Sequence, residues 1–468
     1  AGCIAWEDAF PEEEEARIAA LPTFLEVLQP FLEDPTAHEN ICIPECRESE
    51  FPQELYTLSN LKSLEIFPKH RITFPTGFPD ISYFPKLTNL NLSLKGTEIS
   101  PNIGKLSYLK HLIIKANNAT TLPVEISRCT ELLTLNITYC SSGMDVPKEF
   151  GLLEKLKILI LESNELTGNI PAEIYGLANL CDLNLSRNKL SGNIAPEIEK
   201  LSNLTNLDLS GNQLGGTIPP ELGKLQNLIT LVLDNNQFTG NLPPQVCDLT
   251  DLQVLCLSGN ELCEIPGELG NLGNLRKLHL AKNKFNILPE QLGNLSKLTV
   301  LRANNNQLEG ELPHFLANLF GLRSLELSNN QLSGEIPKQL FQNENLETLS
   351  LKGNMFCGAI PVPSKSCNLQ YINLGHNELC DSIPEEFGTL RRLRELNLGN
   401  NLLTGKIPDS LMNRGSRVRR LNISHNYLDT FVPGSKGKIN YRAQMECYNE
   451  VWTSRQKSAR NIPKIIPE

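Results

Sequence analysis

Two sets of residues in this chain have the types and spacing to do chemistry. One is sulfur with imidazole: 13 cysteines and seven histidines, enough to hold a metal ion or to form disulfides. The other is cationic: Arg276, Lys277, His279 and Lys282 lie close together, and Arg302 and Arg323 follow. The histidines are His38, His70, His111, His279, His314, His376 and His425, and none sits in an H-E-x-x-H pair of zinc ligands. Cys42 and Cys46 form C-x3-C without the second ligand pair that a structural zinc site needs. No phosphate loop, nucleophile elbow or kinase signature is present. The expectation is no catalytic residue, no metal site and no cofactor.

The cationic strip stands out because the chain is acidic, with 43 basic against 53 acidic residues and a net charge of −10. It would suit an acidic partner or a carboxylate-bearing ligand. The competing reading is a solvated face whose charges pair with Glu326 and Glu347. Tyr371 is the one aromatic among the outward positions of the regular central repeats, and an exposed aromatic often anchors an interface. The candidate binding residues are therefore Arg276, Lys277, His279, Lys282, Arg302, Arg323, Glu326 and Tyr371. A second basic stretch, Arg414, Arg417, Arg419 and Arg420, reads as a bridge to a C-terminal cap. The acidic balance argues against nucleic acid, which needs a basic face to release counterions. It also argues against an anionic membrane surface. No apolar run approaches the roughly 18 residues of a bilayer span, so no membrane span is expected in these residues.

These side chains must be positioned by a repeat. The unit from Leu204 reads LTNLDLSGNQLGGTIPPELGKLQN, and the next, from Leu228, reads LITLVLDNNQFTGNLPPQVCDLTD. The second leucine position recurs 17 times from Ile41 to Leu421, at spacings of 22 to 26 residues. In L-x-L, side chains alternate across a strand, so Leu207 and Leu209 point into the coil and Asp208 points out. Asn212 closes the strand, where its amide can both donate to and accept from backbone groups left open by the turn. The same residue recurs as Asn164, Asn188, Asn236, Asn260, Asn283, Asn306, Asn330, Asn354, Asn377, Asn401 and Asn426, which reads as a structural ladder. Gly216 then permits a tight bend, Ile218 fills the coil and Pro219 restricts the turn to the outer face. Leu222, Leu225 and Leu228 have nearly helical spacing in a segment long enough only for a helical or 3-10 turn.

One coil cannot bury its own leucines, so stacked coils must share a core with their strands in one parallel sheet. The end coils need caps. Residues 12–34 and Ile439–Ala459 have helical, amphipathic patterns that fit that need. The expected organisation is a helical cap over 1–37, an array of about 17 units over 38–433, and a helical cap or tail over 434–468. Within this register Cys357 and Cys380 hold the same position in adjacent repeats. Coils about 4.8 Å apart would bring them within disulfide reach. Buried or half-exposed thiols are the alternative, since a long array needs no cross-links. Seven Asn-x-Ser/Thr sites occur, at Asn91, Asn118, Asn136, Asn184, Asn203, Asn294 and Asn422, four of them where the repeat itself favours LNLS or LNIT.

The L-x-x-L-x-L-x-x-N-x-L-x-G-x-I-P grammar resembles the leucine-rich-repeat superfamily, and the units at Leu156, Leu204, Leu228, Leu322, Leu346 and Leu393 are similar to its plant-type subclass. The resemblance implies an α/β solenoid: a curved right-handed coil with a parallel β-sheet on the concave face and short helical or 3-10 segments on the convex face. It also implies a non-catalytic scaffold that recognises a partner protein or peptide on the concave face. The units at Leu109, Leu252, Leu275 and Leu369 lack the plant-type glycine, and Cys3 and Trp6 do not continue into the paired-cysteine cap of secreted plant proteins. Leu21–Asp34 resembles the Leu-Pro opening of an F-box, which would make the chain a ubiquitin-ligase adaptor. An exported surface protein is the third reading, and Ala1-Gly2-Cys3 is similar to the end of a lipoprotein signal. The many unpaired cysteines point instead to a reducing compartment.

The leucine spine makes a direct expectation. Leu255→Asp buries an unpaired charge and should unfold or shorten the array, seen as a lost or split thermal transition by circular dichroism.

Overall fold

The computed structural model describes residues 21–44, 53–66, 80–95, 98–117, 119, 121–412 and 416–429. Its backbone divides into two units, 1–236 and 237–468. The expected C-terminal helix and Arg414 lie outside the described residues, as do the start of the N-terminal helix, Cys46 and the Asn118 site.

The first unit opens on α1 (Phe24–Leu32), capped by Thr23 and Glu26 in a reciprocal capping box. Phe24 and Leu28, one turn apart, are buried, and the helix lies against the 3-10 turn Gln53–Thr57. Pro22 precedes the cap, and Pro30 sits inside the helix. So near the end of a short helix, proline forfeits a single helical hydrogen bond.

The strands of this unit are β1 (Asn40–Ile43), β2 (Ser63–Ile66), β3 (Asn89–Lys95), β4 (His111–Asn117), β5 (Thr134–Thr138), β6 (Ile158–Ile160), β7 (Asp182–Asn184), β8 (Asn206–Asp208), β9 (Gly215–Thr217) and β10 (Thr230–Val232). All but β9 form a parallel sheet in which equal repeat positions pair: Ile41 with Leu64, Leu64 with Leu90, and so on to Leu207 with Leu231. These central residues are buried. Equal pairing follows from equal coil length, because each strand must start one coil after the last.

The second unit carries β11 (Gln237–Gly240), β12 (Val254–Cys256), β13 (Glu261–Leu262), β14 (Lys277–His279), β15 (Val300–Arg302), β16 (Glu309–Glu311), β17 (Ser324–Glu326), β18 (Gln331–Glu335), β19 (Thr348–Ser350), β20 (Met355–Ala359), β21 (Tyr371–Asn373), β22 (Glu378–Cys380), β23 (Glu395–Asn397) and β24 (Arg420–Asn422). Its main parallel sheet runs β12, β14, β15, β17, β19, β21, β23, β24, again with equal positions paired, from Leu255 with Leu278 to Leu396 with Leu421. The short helix α2 (Asp409–Met412) takes the place of a 3-10 turn in the last coils.

Opposite the strands, most coils make a five-residue 3-10 turn. Prolines stand at the N-caps of these turns, with φ of −72° at Pro219 and −66° at Pro243, close to the value the pyrrolidine ring imposes. The buried residue of each turn, such as Leu222 or Val246, is closed off from solvent, as are the central leucines of the strands. Each coil is thus a strand and a turn around one apolar layer, the arrangement of a leucine-rich-repeat solenoid.

A second set of strands was not legible in the repeat grammar. β16, β18, β20 and β22 form their own parallel sheet, as do β11 and β13, just after the strand-closing turn. Their register is staggered by two residues: Glu335 pairs with Cys357, and Cys357 with Glu378. Cys380 therefore lies opposite Ala359, and Cys357 and Cys380 are both free thiols. The disulfide reach inferred from equal repeat positions fails because this sheet does not pair equal positions.

The asparagines join the coils. Asn283 accepts from Leu262 N–H at 3.0 Å and donates through Nδ2 to the carbonyls of Leu257 at 2.8 Å and Leu280 at 3.2 Å. Leu257 and Leu262 belong to the preceding coil, so one side chain closes backbone groups of two coils. Asn188, Asn330, Asn377 and Asn401 repeat the pattern, and Asn164 shares most of it. At the ladder position before Asn164 stands Cys140, whose thiol donates to Ala119 O at 2.9 Å. An outer row is also present: Asn179, Asn203, Asn274, Asn345 and Asn368 each donate to a carbonyl of the coil before.

Two measurements test these contacts. Asn283→Ala leaves buried donors and acceptors open and should lower stability by about 2–4 kcal/mol, each open group costing roughly 1–3 kcal/mol. Asn274→Ala, which removes a single solvent-exposed bond, should cost under about 1 kcal/mol, and equal denaturation midpoints for the two would remove the ladder from the account of stability. Burial pushes the thiol of Cys129 up to about 11 and those of Cys140 and Cys247 up to about 12. In the native protein at pH 8, alkylation followed by peptide mass mapping should mark exposed Cys263 and Cys357 while sparing these three.

Candidate functional site

Alternation along each strand leaves the residues on either side of the central leucine facing solvent. In the second unit these form two rows across the sheet. One contains Lys277, Val300, Ser324, Thr348, Tyr371 and Glu395, and the other His279, Arg302, Glu326, Ser350, Asn373 and Asn397. Arg276 and Arg323 sit just before their strands.

The cationic strip is not a bare positive surface. Arg302 Nε lies 2.9 Å from Glu326 Oε1, and Arg323 Nη1 3.3 Å from Glu347 Oε1. Solvated pairs of this kind contribute little stability, but they cancel much of the field that a free strip would exert. Lys282 is not on the strand. It occupies the turn after it, with φ of 54°, at the repeat position taken by Gly211 at 65° and Asn235 at 53°. That left-handed turn favours Gly and Asn. Arg276 and Lys277 are exposed. His279 is half-buried, with Nδ1 3.4 Å from Cys256 Sγ. Burial, then the charges of Arg302 and Lys277, hold its imidazole below the usual histidine value.

Further along the same sheet a groove of about 600 Å³ opens over β19, β21, β23 and β24. Tyr371 stands in it, 38 % exposed, beside Thr348 and Glu395. Asn373, Asn397 and Asn422 occupy one row on neighbouring strands. Each Oδ1 accepts from the backbone N–H two residues on, Gly375 at 3.3 Å, Gly399 at 3.1 Å and Ser424 at 3.1 Å. With the oxygens so engaged, the Nδ2 groups are the donors these three lining side chains have to offer. Arg420 pairs with Glu395 at 2.9 Å, so it belongs to this face, where the sequence reading made it a bridge to the cap. Arg394 and Arg419 are exposed at the ends of the same strands.

The groove can therefore anchor an aromatic or aliphatic group on Tyr371, donate to carbonyl or carboxylate oxygens, and compete for the Arg420–Glu395 pair. Of the candidate residues, only Glu326 and Tyr371 line it. Thr348, Asn373, Glu395, Asn397 and Asn422 were missed. The signal of the three asparagines was their place between the inward apolar residues in YINL, ELNL and RLNI.

The first unit has a different face. Ile113, Ile158 and Ile160 are half-buried in the corresponding rows. Asp182, beside Asn206, has its carboxyl pushed up mainly by burial. Asn184 and Asn422 have their Oδ1 held by Ser186 and Ser424, as Asp208 has by Ser210. These two sequons thus double as a strand-end cap.

Comparison with known proteins places this geometry. A family model described as a leucine-rich repeat region matches residues 60–217 and 209–403. Similar solved structures include a TDR receptor, 32% identical with a TM-score of 0.76 over 87% of this chain and 71% of that one. Another is the plant peptide hormone receptor RGFR1 in complex with RGF2, 28% identical with a TM-score of 0.68 over 84% and 69%. A third is a leucine-rich-repeat protein of Leptospira interrogans, 32% identical with a TM-score of 0.69 over 80% and 93%. Adenylate cyclase of Schizosaccharomyces pombe is 26% identical over 114 residues, which span 24% of this chain and 6% of the cyclase. The repeat period, the paired leucines and these matches together establish that the chain belongs to the leucine-rich-repeat family.

Proposed function

We propose that this protein is a non-catalytic scaffold that binds an extended segment of a partner protein in the groove over β19 to β24. The observation that carries the reading is the grouping of Tyr371 with three amide donors and a displaceable Arg420–Glu395 pair on one open sheet face. Aromatic anchors in partly enclosed sites dominate interface energies. Backbone carbonyls of an extended peptide supply the acceptors that the asparagines need. RGFR1, a receptor of similar fold, is solved in complex with RGF2, which supports a peptide ligand.

Exposed Arg394, Arg419 and Arg420 make a segment bearing carboxylates the fitting partner. This keeps the acidic partner expected from the sequence but moves its contact from Arg276 and Lys277 to the C-terminal strands.

A peptide-display selection on the full chain tests the reading. Wild type should enrich peptides rich in Asp or Glu. Tyr371→Ala should weaken their binding at least about tenfold, a loss of roughly 1.4 kcal/mol or more, with an unchanged melting temperature. The double variant Arg276→Glu, Lys277→Glu should bind as wild type does. Retained binding by the tyrosine variant, with loss in the charge-reversed one, would place the contact on the strip and reject the groove.

A further inference from the structure

Cys256 and His279 are 23 residues apart and form no sequence motif. Stacking makes them direct partners on β12 and β14, both at the position after the central leucine and so on the outward face. Sγ and Nδ1 lie 3.4 Å apart. A tetrahedral zinc ion holds sulfur at about 2.3 Å and nitrogen at about 2.0–2.1 Å, which sets the two ligand atoms roughly 3.6 Å apart. The observed separation is close to that bite.

We propose that Cys256 and His279 form a binding site for a thiophilic divalent cation such as Zn²⁺. Cysteine and histidine are the donor types such an ion selects over calcium or magnesium. Cys256 is 6 % exposed and His279 half-buried, so the thiol is shielded while the ring keeps an opening to solvent. Of the neighbouring cations, Arg302 is held by Glu326 at 2.9 Å, which reduces its repulsion of a bound ion. Cys256 and His279 supply two of the ligands, and the remaining coordination positions are open to other donor groups. The site is separate from the groove at Tyr371 and does not depend on the function proposed for it.

The full chain, reduced and stripped of metal, should be titrated with Co²⁺ as a spectroscopic stand-in for Zn²⁺. A sulfur-to-cobalt charge-transfer band in the near ultraviolet should saturate at one equivalent. It should persist in the control Cys263→Ala, Cys357→Ala, which removes two exposed thiols, and vanish in Cys256→Ala and in His279→Ala. Zn²⁺ should raise the melting temperature of wild type and not of His279→Ala. The histidine variant carries the test if the cysteine variant does not fold. Absence of the band in wild type, or its survival in His279→Ala, would overturn the assignment.

Discussion

A coil of two dozen residues encloses too little apolar volume to fold alone, and every other feature of this protein answers to that constraint. Each layer of leucines is completed by the layers before and after it. Stacking in turn requires coils of nearly constant length, so that Leu255 meets Leu278 and Leu278 meets Leu301. Once the coils stack, their backbones pair as strands at no further cost in registration.

Stacking also creates a polar problem, because the turn after each strand buries backbone groups that neither sheet can satisfy. The asparagine ladder answers it with one side chain per coil, which bonds to its own turn and to the coil before. Cys140 shows the limit of substitution. Its thiol donates to a carbonyl, and the next asparagine supplies the acceptor for its backbone N–H at 2.8 Å. With the interior and the turns committed to stability, the residues flanking the central leucines are left to vary. The recognition proposed above would be carried there: charges pair across strands around Arg302 and Arg323, and an aromatic residue and amides gather around Tyr371.

The leucine spacing alone determined the fold class, the strand positions, the ladder and which side chains face solvent. These are properties of one repeat multiplied, and a periodic pattern states them directly. The prolines before the outer turns were equally legible, since their ring sets the backbone angle locally. What only the tertiary structure decided are relations between repeats that do not fall at equal positions. The second set of strands is staggered by two residues, which separated Cys357 from Cys380. The turn after each strand took Lys282 off the strand face. Glutamates on neighbouring coils neutralised arginines that looked like a basic strip. Stacking also brought Cys256 against His279 and grouped Tyr371 with asparagines from the next two coils. Each of these pairings joins residues more than 20 positions apart through the pitch and stagger of the coil, and a linear pattern carries no record of either.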